Sequence, residues 1–94
     1  MIQHIVMWKF KEGTEAEQER FLTGLEALYG VIPCIRALEV RRSAEKNSEF
    51  DAVLLSEFDS MEDVENYKKD PRHVAVASIC KEIRISRCAI DVEK

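Results

Sequence analysis

Two histidines and a tyrosine are the residues of this 94-residue chain whose types and spacing best suit proton transfer. His73 lies in the stretch DPRHVAV, where Asp70 is suited to cap a helix and Pro71 to occupy its first position. The apolar stripe that shares its helical face is Val76, Ala77, Cys80 and Ile83. A neutral imidazole accepts a proton, and the partial positive charge of a helix start favours that neutral form. The pattern therefore favours His73 as a general base, and the open alternative is a histidine that only packs at the core edge.

Three further residues complete the candidate pocket. His4 shares one face of the first predicted strand with Trp8, and Tyr67 lies near the end of the helix that precedes His73. We expect His4, Trp8, Tyr67 and His73 to bind a small apolar or aromatic ligand between helices and sheet, with His73 and Tyr67 as the catalytic pair of any enzyme. The structural alternative is a histidine bonded to a carbonyl and a tyrosine that anchors the edge of the core.

Composition limits the classes of partner. Apolar residues make up 46% of the chain and charged residues 34%, which is typical of a soluble globular domain. The net charge of −4 and the lack of a basic block argue against nucleic acid or anionic lipid as partners. The first ten residues lack the basic start of a secretory signal, and no segment is apolar enough to span a membrane. We therefore expect a cytoplasmic protein without a membrane partner.

The cysteines predict neither a disulfide framework nor a metal site. Cys34, Cys80 and Cys88 form no C-x-x-C pair and have no histidine at metal-ligand spacing. An odd number of cysteines in an intracellular protein is typical of reduced thiols. Phosphate-binding glycine motifs and the G-x-S-x-G motif of hydrolases are also absent. The sequence predicts no metal ligand and no cofactor.

Hydrophobic periodicity and capping residues predict the order of elements. Thr14 with Glu17 fits a capping box, Ser60 with Asp63 fits the start of a second helix, and Asp70 fits the start of a third. The predicted strands are 2–10, 35–42, 51–58 and 85–93, and the predicted helices are 14–30, 60–69 and 70–83. This β-α-β-β-α-β order predicts one domain over residues 1–94 with an α+β, ferredoxin-like fold, in which helices cover one face of a four-stranded antiparallel sheet.

The other face of that sheet would expose an apolar patch. Ile5 and Met7 on the first strand and Val53 and Leu55 on the third are apolar on the face that no helix covers. Monomers rarely expose a patch of this kind. The sequence therefore predicts a homodimer in which two sheets pack face to face.

Three segments of the chain together resemble one known family. The segments IQHIVMWKFKEG, FDAVLLSEFDSMEDVENY and DPRHVAV, in this order and spacing, resemble the stress-responsive dimeric α/β-barrel (Dabb) domains. The resemblance implies a ferredoxin-like protomer whose sheet pairs with that of a second copy to close a barrel. Most bacterial members have no assigned activity, so the resemblance implies fold more than chemistry.

A distant resemblance to the plant olivetolic acid cyclase implies a possible reaction. That enzyme of the same fold closes a polyketide chain by an aldol reaction, and its base histidine and tyrosine match His73 and Tyr67. A histidine on its first strand matches His4, whereas its third-strand histidine corresponds to Ala52, so the set is incomplete in this chain.

Three hypotheses follow from the sequence and the resemblance. The first is a homodimeric Dabb domain that binds a small organic molecule, and the second is a cyclase or lyase with His73 as base and Tyr67 as its partner. The third is a structural dimer without a ligand. Ligand pockets typically measure at least about 300 Å³, so the first two hypotheses predict such a cavity beside His73 and Tyr67.

Overall fold

The computed structural model describes residues 1–94, and its elements occur in the predicted order. The strands are β1 (Ile2–Phe10), β2 (Ala37–Arg42), β3 (Ala52–Phe58) and β4 (Arg84–Glu93), and the helices are α1 (Glu15–Glu26), α2 (Met61–Lys69) and α3 (Pro71–Ile83). The strands pair antiparallel in the order β2-β3-β1-β4. This arrangement confirms the ferredoxin-like α+β fold.

Strand β1 lies at the centre of the sheet and separates its two faces. Every second residue from Ile2 to Phe10 is buried, among them His4 and Trp8, while Ile5 and Met7 on the opposite face are only half-buried. In the register of the sheet, His4 lies between Ser56 of β3 and Asp91 of β4. The helices therefore cover the face that carries the first-strand histidine.

The two helices near the candidate site begin as the sequence predicts. The backbone N–H of Asp63 donates to Ser60 Oγ at 3.2 Å, and that of Arg72 donates to Asp70 Oδ1 at 2.9 Å. Each bond satisfies a backbone donor that has no partner within the helix. Because Asp70 caps α3, His73 becomes the third residue of that helix.

The predicted capping box and the predicted end of α1 are both wrong. Thr14 makes no cap bond, because its hydroxyl donates to the Lys11 carbonyl instead. The helix ends at Glu26, and the chain then turns through Gly30, whose φ of 84° suits a residue without a Cβ. Strand β2 consequently begins at Ala37 rather than at residue 35.

A close approach between α1 and α3 positions the helix that carries His73. A Cβ added to Gly24 of α1 would lie 3.1 Å from Cγ1 of Val76 on α3, which is tighter than ordinary carbon contacts. Glycine at this position therefore lets α3 pack closely on α1. The core below these helices includes Phe21 and Leu25 of α1.

The opposite face of the sheet is apolar at its centre and has no cover within the chain. Cross-strand register places the apolar side chains there side by side: Ile5, Met7, Val53, Leu55, Cys88 and Ile90. Ile90 is 58% exposed. We call these six residues the open sheet face. At the end of this face, Glu57 Oε2 lies 2.7 Å from Nζ of Lys94.

None of the helices combines the length and the apolar composition needed to cross a membrane.

Candidate functional site

His73 lies half-buried at the start of α3, as the sequence predicts. Its Nδ1 is 3.2 Å from the backbone carbonyl of Lys68. A carbonyl only accepts hydrogen bonds, so this geometry assigns the ring proton to Nδ1 and leaves a lone pair on Nε2. Burial lowers the pKa of His73 below its ordinary value and outweighs the opposing effect of the Lys68 carbonyl. The ring is therefore a neutral proton acceptor near pH 7.

His4 lies deeper and bonds to a carboxylate. Only 2% of the residue is exposed, and its Nδ1 lies 2.6 Å from Oδ1 of Asp91. An ionised carboxylate accepts, so Nδ1 donates and Nε2 again holds the lone pair. Burial lowers the pKa of His4, although the hydrogen bond and the charge of Asp91 act in the opposite direction. The carboxylate thus fixes the orientation and tautomer of the ring without charging it.

Asp91 is the site residue to which the sequence analysis assigned no role. The alternation of β4 places Asp91 and Ala89 on the face opposite Cys88, but a lone carboxylate on a strand carries no specific signal. Its contact with His4 spans 87 positions of the chain and follows from the antiparallel register of β1 and β4. An antiparallel alignment of the first and last strands in this register places Asp91 opposite His4.

Tyr67 lies between the two histidines but does not line the cavity that they share. The residue is completely buried, and its ring centroid is 4.4 Å from that of His73 and 6.2 Å from that of His4. The hydroxyl has no hydrogen-bond partner, and burial raises the pKa of Tyr67. Its contacts are those of a core anchor, and a catalytic role for Tyr67 stays a prediction.

A cavity of about 70 Å³ separates α3 from the sheet. Its deeper walls are apolar and include Trp8, Phe21 and Leu54, and both histidines line it. Its remaining lining residues are Val6, Leu25, Lys68, Ala77, Cys80, Lys81, Arg84 and Arg87. The predicted cavity of at least about 300 Å³ beside His73 and Tyr67 is therefore wrong, because this cavity is smaller and Tyr67 does not line it. Of the four predicted ligand-binding residues, the structure brings His4, Trp8 and His73 to this cavity.

A larger depression of about 680 Å³ lies elsewhere, between the start of α1 and the loop 43–51. Its lining is mostly charged, with carboxylates and cations interspersed, and it contains neither histidine. Small-molecule sites usually combine apolar walls with a few convergent polar groups. The smaller cavity has that character and the larger depression does not, so we place the candidate site at the histidines.

The arrangement is suited to binding and proton transfer. Each imidazole leaves its Nε2 without a hydrogen-bond partner in the protein, so both can accept a proton from a bound molecule. The thiol of Cys80 also lines the cavity, but burial raises its pKa, which disfavours the nucleophilic thiolate. No three or more histidine, cysteine or acidic side chains cluster as a metal would require.

The family model of the stress responsive A/B barrel domain (Dabb) matches residues 2–94 of the chain. No curated protein matches the chain significantly.

Solved structures with the same fold cover nearly the whole chain. A dimeric protein of unknown function from Bacteroides fragilis is 32% identical with a TM-score of 0.92, and the match covers 99% of this chain and 95% of that one. A Dabb family protein from Mesorhizobium loti is 22% identical with a TM-score of 0.81, covering 99% and 95% respectively. A hydroxynitrile lyase from Passiflora edulis is 14% identical with a TM-score of 0.84, covering 97% and 90%. The last two likenesses concern the fold alone.

Proposed function

The chain belongs to the stress responsive A/B barrel domain (Dabb) family, and on this basis we propose that it forms a homodimer that binds a small organic molecule in the cavity between α3 and the sheet. The observation that carries the binding proposal is the convergence of both histidines of the chain on one cavity, each with an unpaired Nε2. If the two histidines served only to pack the core, we would not expect both of them to line the same cavity.

The size of the cavity restricts the ligand. About 70 Å³ accommodates only a small group of atoms, so a larger ligand must place its remaining atoms at the mouth or displace a lining side chain. The exposed residues Lys81 and Arg87 mark that mouth, because they line the cavity and also contact solvent. Trp8 and Phe21 favour an apolar or aromatic group inside.

Imidazole NMR tests the binding proposal directly. His4 and His73 are the only histidines, so every imidazole signal of the protein reports on this cavity. We expect a panel of small aromatic and branched aliphatic fragments to shift the Nε2 signals of both rings in a saturable manner. If no fragment shifts the NMR signals of either ring, the cavity is not a binding site and the hypothesis of a structural dimer without a ligand is favoured.

The open sheet face supports the homodimer. Its apolar centre has no cover within the chain, and the Bacteroides fragilis relative is described as dimeric. Stable interfaces bury about 800 Å² per partner, which a sheet face of four strands can supply.

A pair of matched variants tests this interface. Ile90→Glu places a charge on the open sheet face, and Val74→Glu places the same charge on α3, where Val74 is 51% exposed. We expect sedimentation to show a dimer for the wild-type protein and for Val74→Glu, and a shift to monomer for Ile90→Glu. A wild-type monomer at micromolar concentration would contradict the proposal.

The His4–Asp91 pair supports a second candidate function, a lyase or cyclase that removes a proton from carbon. A carboxylate that holds the donor side of an imidazole leaves its Nε2 oriented as a base, and His73 offers a second base on the same cavity. Exchange of the α-protons of a small ketone for deuterium, followed by NMR, tests this chemistry. We expect His4→Gln to abolish catalysed exchange and His73→Gln to reduce it, whereas the surface variant Arg20→Gln should retain it. Exchange at the buffer rate with wild-type protein would exclude the candidate.

A further inference from the structure

Four basic side chains surround the candidate cavity in a protein that is acidic as a whole. Lys68, Lys81, Arg84 and Arg87 line the cavity, and no carboxylate does. The chain nevertheless contains 18 acidic and 14 basic residues. The local charge is therefore opposite in sign to the net charge of −4.

These cations have few anionic partners. Lys81, Arg84 and Arg87 form no ion pair, and Lys68 has only a distant one with Glu65 at 3.6 Å. Several arginines elsewhere do pair, since Arg36, Arg42 and Arg72 each lie within 3.1 Å of a carboxylate oxygen. The distinguishing feature of the cavity is therefore that its unpaired cations lie together with no carboxylate among them.

The carboxylate bonded to His4 does not neutralise the group. Asp91 lies behind the ring of His4 and is bonded to Nδ1 of that ring rather than to a cation. Repulsion from Lys68 and Arg87 also contributes to the lowered pKa of His4, and repulsion from Arg87 contributes to that of His73. Lys68 and Arg87 thus lie close enough to act on the imidazoles, against the opposing charges of Asp91 at His4 and of Asp70 at His73.

Helix ends alone do not explain the cluster. Lys68 lies in the last turn of α2 and Lys81 in the last turn of α3, where cations are favoured by the helix dipole. Arg87 belongs to β4, opposite Trp8 of β1, and so reaches the same cavity from the sheet. Helices α2 and α3 and strand β4 thus each contribute a cation to the same cavity. A cleft lined by one sign of charge raises the local concentration of ions of the opposite sign.

We propose that the ligand of this cavity is a small organic carboxylate, with its apolar body against Trp8 and Phe21 and its anionic group among the four cations at the mouth. This inference rests on the proposed function, because it specifies the class of molecule that the cavity binds. Arginine suits a carboxylate in particular, because its planar fork donates two parallel hydrogen bonds to the two oxygens. The small volume of the cavity agrees with this division, because a carboxylate at the mouth occupies none of the space inside.

Benzoate and benzamide form a matched pair of probes, since they share ring and shape and differ in charge. We expect titrations followed by the imidazole signals to show benzoate binding at least about tenfold more tightly than benzamide, a difference of about 1.4 kcal/mol. Inorganic phosphate alone carries the charge without the apolar body, and we expect it to bind more weakly than benzoate. The preference for benzoate should decline with added salt, because the mouth is exposed.

A variant that lacks one positive charge tests whether the preference for benzoate arises from the cations at the cavity. We expect Arg87→Gln to weaken benzoate binding about fivefold and to leave benzamide binding unchanged. Arg20→Gln removes the same charge from an exposed position of α1 outside the cavity, and we expect no change in either affinity.

The outcomes separate the two proposals. Equal binding of benzoate and benzamide at the imidazoles would overturn the carboxylate preference and leave the binding function in place. Phosphate binding as tight as benzoate binding would also overturn it, because charge alone would then be recognised. If neither aromatic probe nor any other fragment shifts an imidazole signal, the binding function itself is refuted. The wild-type comparison decides the question even if Arg87→Gln does not fold.

Discussion

Replacing Asp91 by asparagine should lower the proton affinity of His4 and leave that of His73 unchanged. Asparagine keeps an oxygen that can accept from Nδ1 of His4, so the neutral ring retains its hydrogen bond. The charge of Asp91 is lost, and that charge favours the imidazolium across a contact of 2.6 Å. The burial of His4, which opposes the imidazolium, remains.

The size of the effect follows from this contact. A hydrogen bond to a charged group contributes about 1.5–3 kcal/mol, whereas a neutral one contributes about 1 kcal/mol. His4 is almost completely buried, and 23% of the Asp91 side chain is exposed, so solvent screens the pair only in part. The imidazolium should therefore lose roughly 0.5–2 kcal/mol, which corresponds to about a two- to thirtyfold lower affinity for a proton.

NMR titration of the two imidazoles against pH measures this directly. His73 serves as an internal comparison, because Asp91 does not act on its pKa directly and reaches it only through the charge of His4. Asp59→Asn serves as a control variant, since Asp59 pairs with Arg36 on the surface. The reasoning is refuted if His4 binds a proton as tightly in Asp91→Asn as in the wild-type protein, or if the change appears at His73 instead.

Three further predictions concern stability and are measured by denaturant unfolding. Tyr67→Phe removes a buried hydroxyl that has no partner, so the free energy of unfolding should stay the same or rise by about 1 kcal/mol; a clear loss would mean that the hydroxyl bonds to something. Ser60→Ala should lower the free energy of unfolding by about 1 kcal/mol, while Thr14→Ala should cost less because Thr14 makes no cap bond; equal losses would contradict this. The pKa values of His4 and His73 are lowered by folding, so the unfolded chain takes up protons first as the pH falls below 6.5. The free energy of unfolding should therefore decrease below that pH, by up to about 1.4 kcal/mol per pH unit for each histidine, and a rise in that window would contradict the lowered pKa values.

Local features of the sequence were sufficient to predict the fold. The caps at Ser60 and Asp70 and the apolar residues on both sides of β1 have their effects within a few neighbouring positions. The resemblance of three segments to Dabb domains agrees with the family match over residues 2–94. The end of α1 was misplaced because Gly30 closes a turn after the helix rather than the helix itself.

The candidate site was predictable only in part. The start of α3 at Asp70 directed His73 toward the core, and strand alternation placed His4 and Trp8 on the helix-facing side. Tyr67 was expected at the mouth, but its ring packs between the histidines and its hydroxyl lies outside the cavity.

The sequence by itself determined which residues face the helices and which form the open sheet face, because periods of two and 3.6 residues are local properties of strands and helices. The tertiary structure decided which side chains meet. Asp91 reaches His4 across 87 positions through the pairing of the first and last strands. Lys68, Lys81 and Arg87 converge from three different elements on one cavity. Neither arrangement can be recognised from neighbouring residues in the sequence, because each depends on the register of the sheet and on the packing of α3 against it.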